Sequence, residues 1–225
     1  MESVALTEGH RDLSRTAIFK NDTDGLLTKA RGYKSIKGNF VHETAVVNWD
    51  GLLIGINNII GPYACVGEDA ENITEKSNGI IRIGNGNVLR EHSTINLPTN
   101  PSSGTIIGDR NYLMAHSHVA HDCLLEDGIV MCNQSALGGH VHVMKGAVLA
   151  LNTSVHQFQV IGSWSMVGMN SCVTKTTTIR PGYKYIGTPA RKLCPNKVAL
   201  SRNNVDEIQL VRENKRFERL KNHQR

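Results

Sequence analysis

Residues 107–179 read, in groups of six, IGDRNY LMAHSH VAHDCL LEDGIV MCNQSA LGGHVH VMKGAV LALNTS VHQFQV IGSWSM VGMNSC VTKTTT I. The first residue of every group is aliphatic, which gives thirteen consecutive matches from Ile107 to Ile179. A helix repeats its apolar positions about every 3.6 residues and a strand every second residue, so a period of six fits neither. It fits a solenoid in which each group is one short strand and three groups make one coil. The sequence therefore predicts an all-β solenoid, a parallel β-helix of hexapeptide repeats.

Small residues accompany the aliphatic ones at a fixed offset. The position two places earlier is usually occupied by a side chain that leaves room at a tight corner: Ser117, Cys123, Ser135, Ala147, Thr153, Ser165, Ser171 and Thr177. Because neighbouring coils bury each other, the length of such a chain sets the number of coils and not the thickness of the core.

The period also predicts the domain organisation. We expect an N-terminal extension without assigned structure at residues 1–38, a β-helix at 39–186 and a basic, partly helical tail at 187–225. Two stretches are predicted to be loops. Residues 67–82 break the pattern with polar and charged side chains, and residues 97–106 keep the six-residue register but contain prolines and a glycine that make a strand unlikely.

The tail carries a helical pattern from Asn203 to Lys221, with Asn203 or Asn204 as the capping residue. We expect this helix to cover the open end of the solenoid, whose last strand would otherwise be an exposed edge.

The distribution of charge and the number of cysteines indicate the kind of partner and the cellular compartment to expect. The net charge is +5, yet residues 180–225 hold twelve Lys and Arg against four Asp and Glu, so the basic charge is concentrated in the tail. Such a segment is typical of a docking surface for an acidic partner, or serves only solubility. The five cysteines are odd in number and lack CxxC spacing, which indicates a reducing compartment, and we expect a cytoplasmic protein with no membrane span.

Six of the ten histidines lie between His116 and His156. Three interpretations are open. They are polar residues of the outer surface, or His116, His118 and His121 bind zinc, or His121 acts as an acid or base near neutral pH. Asp122 follows His121 directly, and adjacent side chains of a strand point to opposite faces, so the two can pair only at a corner.

The run from Ile107 to Val173 resembles the bacterial UDP-N-acetylglucosamine O-acyltransferases. The resemblance lies in Ile107-Gly-Asp-Arg-Asn, Leu113-Met, His118-Val-Ala-His-Asp-Cys, Gly139-His-Val and Val155-His-Gln-Phe, at matching spacings. It implies a left-handed β-helix, a homotrimer with sites between subunits, and transfer of a (3-hydroxy)acyl chain from acyl carrier protein to the 3-hydroxyl of a UDP-sugar. No metal, no tightly bound cofactor and no nucleic acid partner is implied.

The same resemblance assigns roles to individual residues. His121 matches the general base, and Asp122 joins it as the second catalytic residue. The substrate-binding positions matched by the family are His118, Gly139, His140, His156, Gln157, Asn196 and Arg202. Backbone N–H groups near Gly139 would then stabilise the oxyanion of the reaction, and Arg202 would pair with a phosphate.

The chain also departs from the family pattern. Asn96-Leu97 stands where the family often has His-Arg, the 67–82 loop lacks a clear sugar-contacting motif, and the helical tail is short. The segment Gly187-Thr-Pro-Ala-Arg is similar to the exit of acetyl-CoA-dependent sugar acetyltransferases. An O- or N-acetyltransferase using acetyl-CoA is therefore the main alternative, and a γ-type carbonic anhydrase or a non-catalytic scaffold are the minor ones.

Overall fold

The structure is a computed structural model that describes residues 31–102 and 104–223. Most of the predicted N-terminal extension, residues 1–30, lies outside the described residues. The remainder of that extension is not without structure, since a strand begins at Tyr33 and pairs in antiparallel fashion with the next strand.

Short strands, most of them two residues long, build three sheets that form the faces of a triangular prism. The first sheet contains β1 (Tyr33–Ile36), β2 (Asn39–His42), β5 (Ile59–Ile60), β8 (Val88–Leu89), β11 (Tyr112–Leu113), β14 (Val130–Met131), β17 (Val148–Leu149), β20 (Met166–Val167), β22 (Tyr183–Ile186) and β23 (Arg191–Pro195). The second contains β4 (Leu52–Ile54), β7 (Ile81–Ile83), β10 (Thr105–Ile107), β13 (Leu124–Leu125), β16 (His142–Val143) and β19 (Val160–Ile161). The third contains β3 (Val46–Val47), β6 (Cys65–Glu68), β9 (Thr94–Asn96), β12 (His118–Val119), β15 (Ala136–Leu137), β18 (Ser154–Val155) and β21 (Cys172–Val173).

From β2 to β22 the chain visits the sheets in rotation, so each strand pairs in parallel with the strand one coil away, whereas β1 and β23 pair in antiparallel fashion with β2 and β22. In the regular part the partners are eighteen residues apart, as in the pairing of Leu113 with Met131 and of Val119 with Leu137. Three hexads therefore make one coil, as the period predicts.

The core is the interior of the prism. All thirteen aliphatic positions from Ile107 to Ile179 are buried, with no more than 4% of any of them exposed. The small residues two places earlier are buried as well, because they sit under the corners where the chain turns between faces. Burial of these aliphatic side chains is the main favourable contribution to the free energy of folding.

Two loops interrupt the regular coil. The first lies between β6 and β7 at residues 69–80, and the second lies between β9 and β10 at residues 97–104. The second loop makes the step from Ile83 in β7 to Ile107 in β10 twenty-four residues long, one hexad more than a regular coil. Because the extra length is a whole hexad, the inward register continues unchanged behind it.

The tail differs from the prediction in its helix boundaries. Two helices are present, α1 (Lys197–Arg202) and α2 (Glu207–His223). Asn203 ends α1 and does not begin the long helix. The first turn of α2 is capped instead by Asp206, whose Oδ1 accepts a hydrogen bond from Gln209 N at 2.6 Å. The prediction of Asn203 or Asn204 as the cap is wrong, because asparagine and aspartate are equally good capping residues and the sequence does not distinguish among them.

The expected position of the long helix is also wrong. Helix α2 packs along the second sheet, where the fully buried Phe217 contacts Met144 and Val160, and the end of the first sheet is paired with β23 instead. A cluster of charges holds the helix there. Arg216 donates to both carboxylate oxygens of Glu126, ninety residues away in sequence. The position of the helix depends on which face of the prism offers apolar and acidic side chains to it. The helical periodicity of residues 203–221 does not specify that face.

All five cysteines lie in the described part of the chain and are free thiols. Neither helix within residues 31–102 and 104–223 has the length and apolarity needed to cross a bilayer.

Candidate active site

His121 and Asp122 occupy a turn between the third and second sheets. We call the stacked turns 120–123, 138–141 and 156–159 the His121 edge of the prism. Asp122 has a φ of 58°, in the left-handed region, so the backbone reverses its pleat at this point. The two adjacent side chains therefore face the same side, and His121 Nδ1 lies 2.8 Å from Asp122 Oδ2. The pair that is awkward in a strand forms because the turn is tight.

The carboxylate of Asp122 is buried and extensively hydrogen-bonded. Its side chain has no exposed surface. Oδ2 accepts from the Thr99 N–H at 3.0 Å and the Thr99 hydroxyl at 2.8 Å, and Oδ1 accepts from the Asn100 N–H at 3.1 Å. Burial by itself raises the pKa of Asp122, but the hydrogen bonds from His121, Thr99 and Asn100 outweigh it and hold the pKa below the ordinary value of 3.8.

An ionised carboxylate only accepts hydrogen bonds, so the bond to Asp122 assigns the proton of the neutral imidazole to Nδ1. The lone pair of His121 is then on Nε2, the nitrogen directed away from the carboxylate. The imidazole side chain is 9% exposed, which leaves a small opening to an incoming group. The arrangement suits a general base whose protonated form is stabilised by a fixed negative charge.

Gly139 makes room for this imidazole. A Cβ atom built on Gly139 would lie 2.6 Å from Cε1 and 2.7 Å from Nε2 of His121, far inside van der Waals contact. Within the described residues the Gly139 N–H donates no hydrogen bond, whereas the N–H groups of Gly138 and His140 donate to Val155 and His121. Gly139 thus combines space for the ring with a backbone donor beside it.

His140 stands one coil above Asp122 on the same edge. Its ring meets His121 edge-on at 5.1 Å and stacks on Phe158 at 4.5 Å, with 7° between the planes. Its Nε2 lies 3.8 Å from Asp122 Oδ2. Burial lowers the pKa of His140 below 6.5, although the Asp122 carboxylate acts in the opposite direction. The ring is therefore held as a largely neutral hydrogen-bonding group next to His121.

His118 approaches the edge from strand β12. Its Nδ1 lies 2.7 Å from the Thr94 hydroxyl, and its Nε2 lies 3.7 Å from Glu71 in the 69–80 loop. Burial lowers the pKa of His118, with Glu71 opposing the shift. The loop that lacks the expected sugar-contacting motif thus brings a carboxylate to the site instead.

The other residues suggested by sequence are more dispersed. His156 and Gln157 lie one coil further on, exposed, with His156 Nδ1 2.9 Å from the Gln157 carbonyl oxygen. Asn196 caps α1 and donates to the Trp164 carbonyl at 2.9 Å, on the edge between the second and first sheets. Arg202 is exposed at the end of α1. A single chain therefore does not bring Asn196 and Arg202 to His121.

The zinc interpretation of His116, His118 and His121 does not match the structure. His116 lies on the edge between the first and third sheets, stacked on His92 at 4.7 Å. A different trio in the described part of the chain, His121, Asp122 and His140, has ligand atoms within 4.8 Å of one another. However, Asp122 Oδ2 already accepts hydrogen bonds from His121 and Thr99, which favours a proton-handling role for the trio over metal binding.

Sequence reasoning gave no role to several residues that build this site. Thr99 and Asn100 bind the Asp122 carboxylate, Thr94 binds His118, and Phe158 packs on His140. No local motif marks Thr99, because it belongs to an inserted loop that contacts the site only after folding.

Comparisons with known proteins point to one group. No family model matches the chain. The acyl-[acyl-carrier-protein]–UDP-N-acetylglucosamine O-acyltransferase of Synechocystis is 36% identical over 154 residues, 68% of this chain and 55% of its own length. That of Alkalilimnicola ehrlichii is 37% identical over 160 residues, 70% of this chain and 61% of its own length. The chain thus spans little more than half of the length of these curated relatives.

Solved structures agree in fold. The UDP-N-acetylglucosamine acyltransferase of Bacteroides fragilis superposes with a TM-score of 0.71 at 28% identity, covering 79% of this chain and 69% of the other. The Arabidopsis UDP-N-acetylglucosamine acyltransferase gives 0.68 at 28%, covering 76% and 67%. The prediction of a left-handed parallel β-helix of hexapeptide repeats is confirmed.

Proposed function

The chain is a relative of the acyl-[acyl-carrier-protein]–UDP-N-acetylglucosamine O-acyltransferases, and from that premise we propose that it is itself an acyltransferase. It moves a (3-hydroxy)acyl chain from acyl carrier protein to the 3-hydroxyl of a UDP-N-acetylglucosamine-like acceptor. The observation that carries the proposal is the buried pair of His121 and Asp122, with His121 Nδ1 2.8 Å from Asp122 Oδ2. Beside it lies the buried Gly139, whose N–H donates no hydrogen bond within the described residues.

His121 is the general base. A sugar hydroxyl is a weak nucleophile at neutral pH, so Nε2 takes its proton while the oxygen attacks the thioester carbonyl. Asp122 stabilises the imidazolium that forms and keeps it oriented, a role for which its low pKa suits it. The imidazolium then returns the proton to the departing thiolate of the carrier, which restores the neutral base.

The oxyanion of the tetrahedral intermediate lies beside Gly139. Its N–H is the donor that stabilises the developing negative charge, and removal of one such donor typically costs about 100-fold or more in rate. His118 and His140, both with a pKa lowered by burial, contact the substrate as neutral donors or acceptors. Gln157 and His156 extend this contact surface to the next coil.

We further propose that the protein is a homotrimer with its sites between subunits. The outward side chains of the first sheet are apolar and half-buried, namely Tyr112, Val130, Val148 and Met166. Helix α2 packs on the C-terminal end of the second sheet and leaves this face of the first sheet open for another copy. A neighbouring copy is also the way in which Asn196 and Arg202 would reach a nucleotide bound at His121.

The basic tail supports an acidic donor or acceptor. Arg191, Lys192 and Lys197 are exposed on β23 and α1, where they attract both a diphosphate and an acidic carrier protein. The cytoplasm remains the expected compartment, and the five free thiols are consistent with it.

The test is an acyl-transfer assay on the wild-type protein, His121→Ala and His116→Ala. His116 is the matched control, because it is an exposed histidine on another edge of the same coil. UDP-N-acetylglucosamine is offered with 3-hydroxyacyl carrier protein and, separately, with acetyl-CoA. We expect product from the carrier protein, a loss of at least about 100-fold in His121→Ala, and wild-type activity in His116→Ala.

The other outcomes are equally decisive. Product from acetyl-CoA alone would assign the protein to the acetyltransferases and keep His121 as base. Equal activity of wild type and His121→Ala would refute the mechanism.

A further inference from the structure

Deepening the mechanism proposed above, on which this inference rests, we propose that Thr99 is a positioning residue for the base. Together with the Asn100 N–H, it fixes the Asp122 carboxylate so that His121 keeps its proton on Nδ1 and its lone pair on Nε2. Thr99 would not touch substrate. It would act through Asp122, and the role of the inserted 97–104 loop would be to place Thr99 against the Asp122 carboxylate.

The contacts single out Thr99 among the residues around the carboxylate. Its N–H and its hydroxyl both donate to Oδ2, the same oxygen that His121 Nδ1 approaches at 2.8 Å. The Asn100 N–H donates to Oδ1. With donors on both oxygens, the carboxylate cannot rotate about its Cβ–Cγ bond without breaking charge-assisted hydrogen bonds inside a buried site.

The backbone of Asp122 is fixed from the same side. Its N–H donates to the Thr105 hydroxyl at 2.9 Å, at the point where the inserted loop rejoins the second sheet. The left-handed φ of 58° at Asp122 recurs at the equivalent corner positions His140 and Phe158, so it belongs to the coil, and the Thr105 contact holds the Asp122 backbone in addition. The loop therefore holds both the backbone and the side chain of the residue that orients the base.

The 97–104 loop is itself held in place by backbone hydrogen bonds to β6 and to the 69–80 loop. Leu97 N donates to the Glu68 carbonyl at 2.8 Å, and Asn78 N donates to the Pro98 carbonyl at 2.8 Å. Gly79 lies so close to Pro101 that an added Cβ would come within 2.9 Å of its Cα. The 69–80 loop thus packs against the 97–104 loop, whose Thr99 contacts Asp122 at the His121 edge.

A regular coil could not supply this contact. The residue eighteen places before Asp122 is Gly104, which has no side chain to offer the carboxylate. The extra hexad between β9 and β10 lets the chain leave the face, place Thr99 against Asp122 and return in register. This accounts for the prolines and polar residues at the point where the sequence predicts a loop.

The experiment compares wild-type protein with Thr99→Val and Thr99→Ser, all full-length. Valine keeps the shape and the N–H but removes the hydroxyl, and serine restores it. Long-range ¹H–¹⁵N NMR at neutral pH, with His121→Gln for assignment, reports the tautomer of His121 without any substrate. Thr94→Val is the matched control, because it removes a threonine hydroxyl from His118 and leaves Asp122 untouched.

We expect a single Nδ1–H tautomer in the wild type and in Thr94→Val, and a mixture with the Nε2–H form in Thr99→Val. In the acyl-transfer assay, kcat of Thr99→Val falls about tenfold with KM within about twofold, and Thr99→Ser recovers most of it. An unchanged tautomer in folded Thr99→Val refutes the proposal. So does an Nε2–H tautomer in the wild type, a measurement that stands even if the valine variant does not fold.

The spectroscopic result is independent of the reaction. If the wild type shows the Nδ1–H tautomer and Thr99→Val loses it while no acyl donor gives product, the positioning role holds and the proposed acyl transfer fails. If the wild type transfers acyl groups and the His121 tautomer is unchanged in Thr99→Val, the proposed acyl transfer holds and the positioning role of Thr99 fails.

Discussion

At the scale of single residues, the candidate site depends on a turn with a left-handed backbone, the conformation that the corners of this prism share. Asp122, His140 and Phe158 follow one another at intervals of eighteen residues, all with φ near 60°. This column converts a strand pattern, in which neighbours diverge, into an edge where His121 and Asp122 converge. The left-handed conformation therefore brings His121 and Asp122 together directly, and the stacked rings of His140 and Phe158 continue the edge into the next coils.

Gly139→Ala is expected to disable the base without unfolding the protein. The new methyl group would lie 2.6 Å from the His121 ring, so the imidazole must move. We expect kcat to fall by at least about tenfold, since small displacements of a catalytic group are costly. Gly168→Ala is the matched control, because its Cβ would meet its nearest neighbour at 3.2 Å. Equal kcat values for the two variants, both folded by circular dichroism, would contradict this account.

At the scale of secondary-structure elements, the attachment of α2 to the second sheet is the main feature that the repeat does not provide. Glu126 accepts hydrogen bonds from Arg216 and from the Lys145 N–H, and lies 2.6 Å from His142 Nε2. Burial raises the pKa of Glu126, but the bonds from His142 and Arg216 outweigh this and lower it from 4.5 to about 2. The carboxylate is thus a charged link between helix and solenoid.

This link predicts a defined loss of stability in acid. Because the pKa is lower in the folded state, the unfolded chain takes up the proton first, and stability falls as pH drops from 4.5 to about 2. The full effect is about 3 kcal/mol, from 1.36 kcal/mol per pKa unit. Urea unfolding across this range should show a smaller slope for Glu126→Gln. Glu207→Gln, an exposed carboxylate at the start of α2, should retain the wild-type slope; parallel curves for all three proteins would refute the link.

At the scale of the whole molecule, the three faces of the prism are unequal. Helix α2 packs on the C-terminal end of the second sheet, the His121 edge carries the candidate site, and strands β11, β14, β17 and β20 of the first sheet present apolar residues outward. A face of this kind is what a stable subunit contact needs, whereas isolated exposed apolar residues are ordinary.

Val148→Lys should therefore separate the proposed trimer. A buried lysine without a partner is costly, so we expect monomers by sedimentation equilibrium at concentrations where the wild type is trimeric. Activity should be lost with the trimer, although Val148 lies on a different face from His121. Ser154→Lys, at an exposed outward position of the third sheet, is the control and should remain trimeric. A monomeric wild type, or a trimeric Val148→Lys, would exclude the first sheet as the contact.

The sequence alone determined the solenoid, because a period of six is a local property that every hexad repeats and that burial enforces at each step. It also predicted His121, Asp122, Gly139 and His140 as candidate site residues, since their motif lies within one and a half coils, and the structure places them side by side. The tertiary structure alone decided what surrounds them. Thr99 reaches Asp122 from a loop whose extra hexad leaves the register intact, and Arg216 reaches Glu126 across ninety residues. Such contacts arise from packing between segments distant in the chain, and periodicity carries no information about which distant segment will fill a given surface.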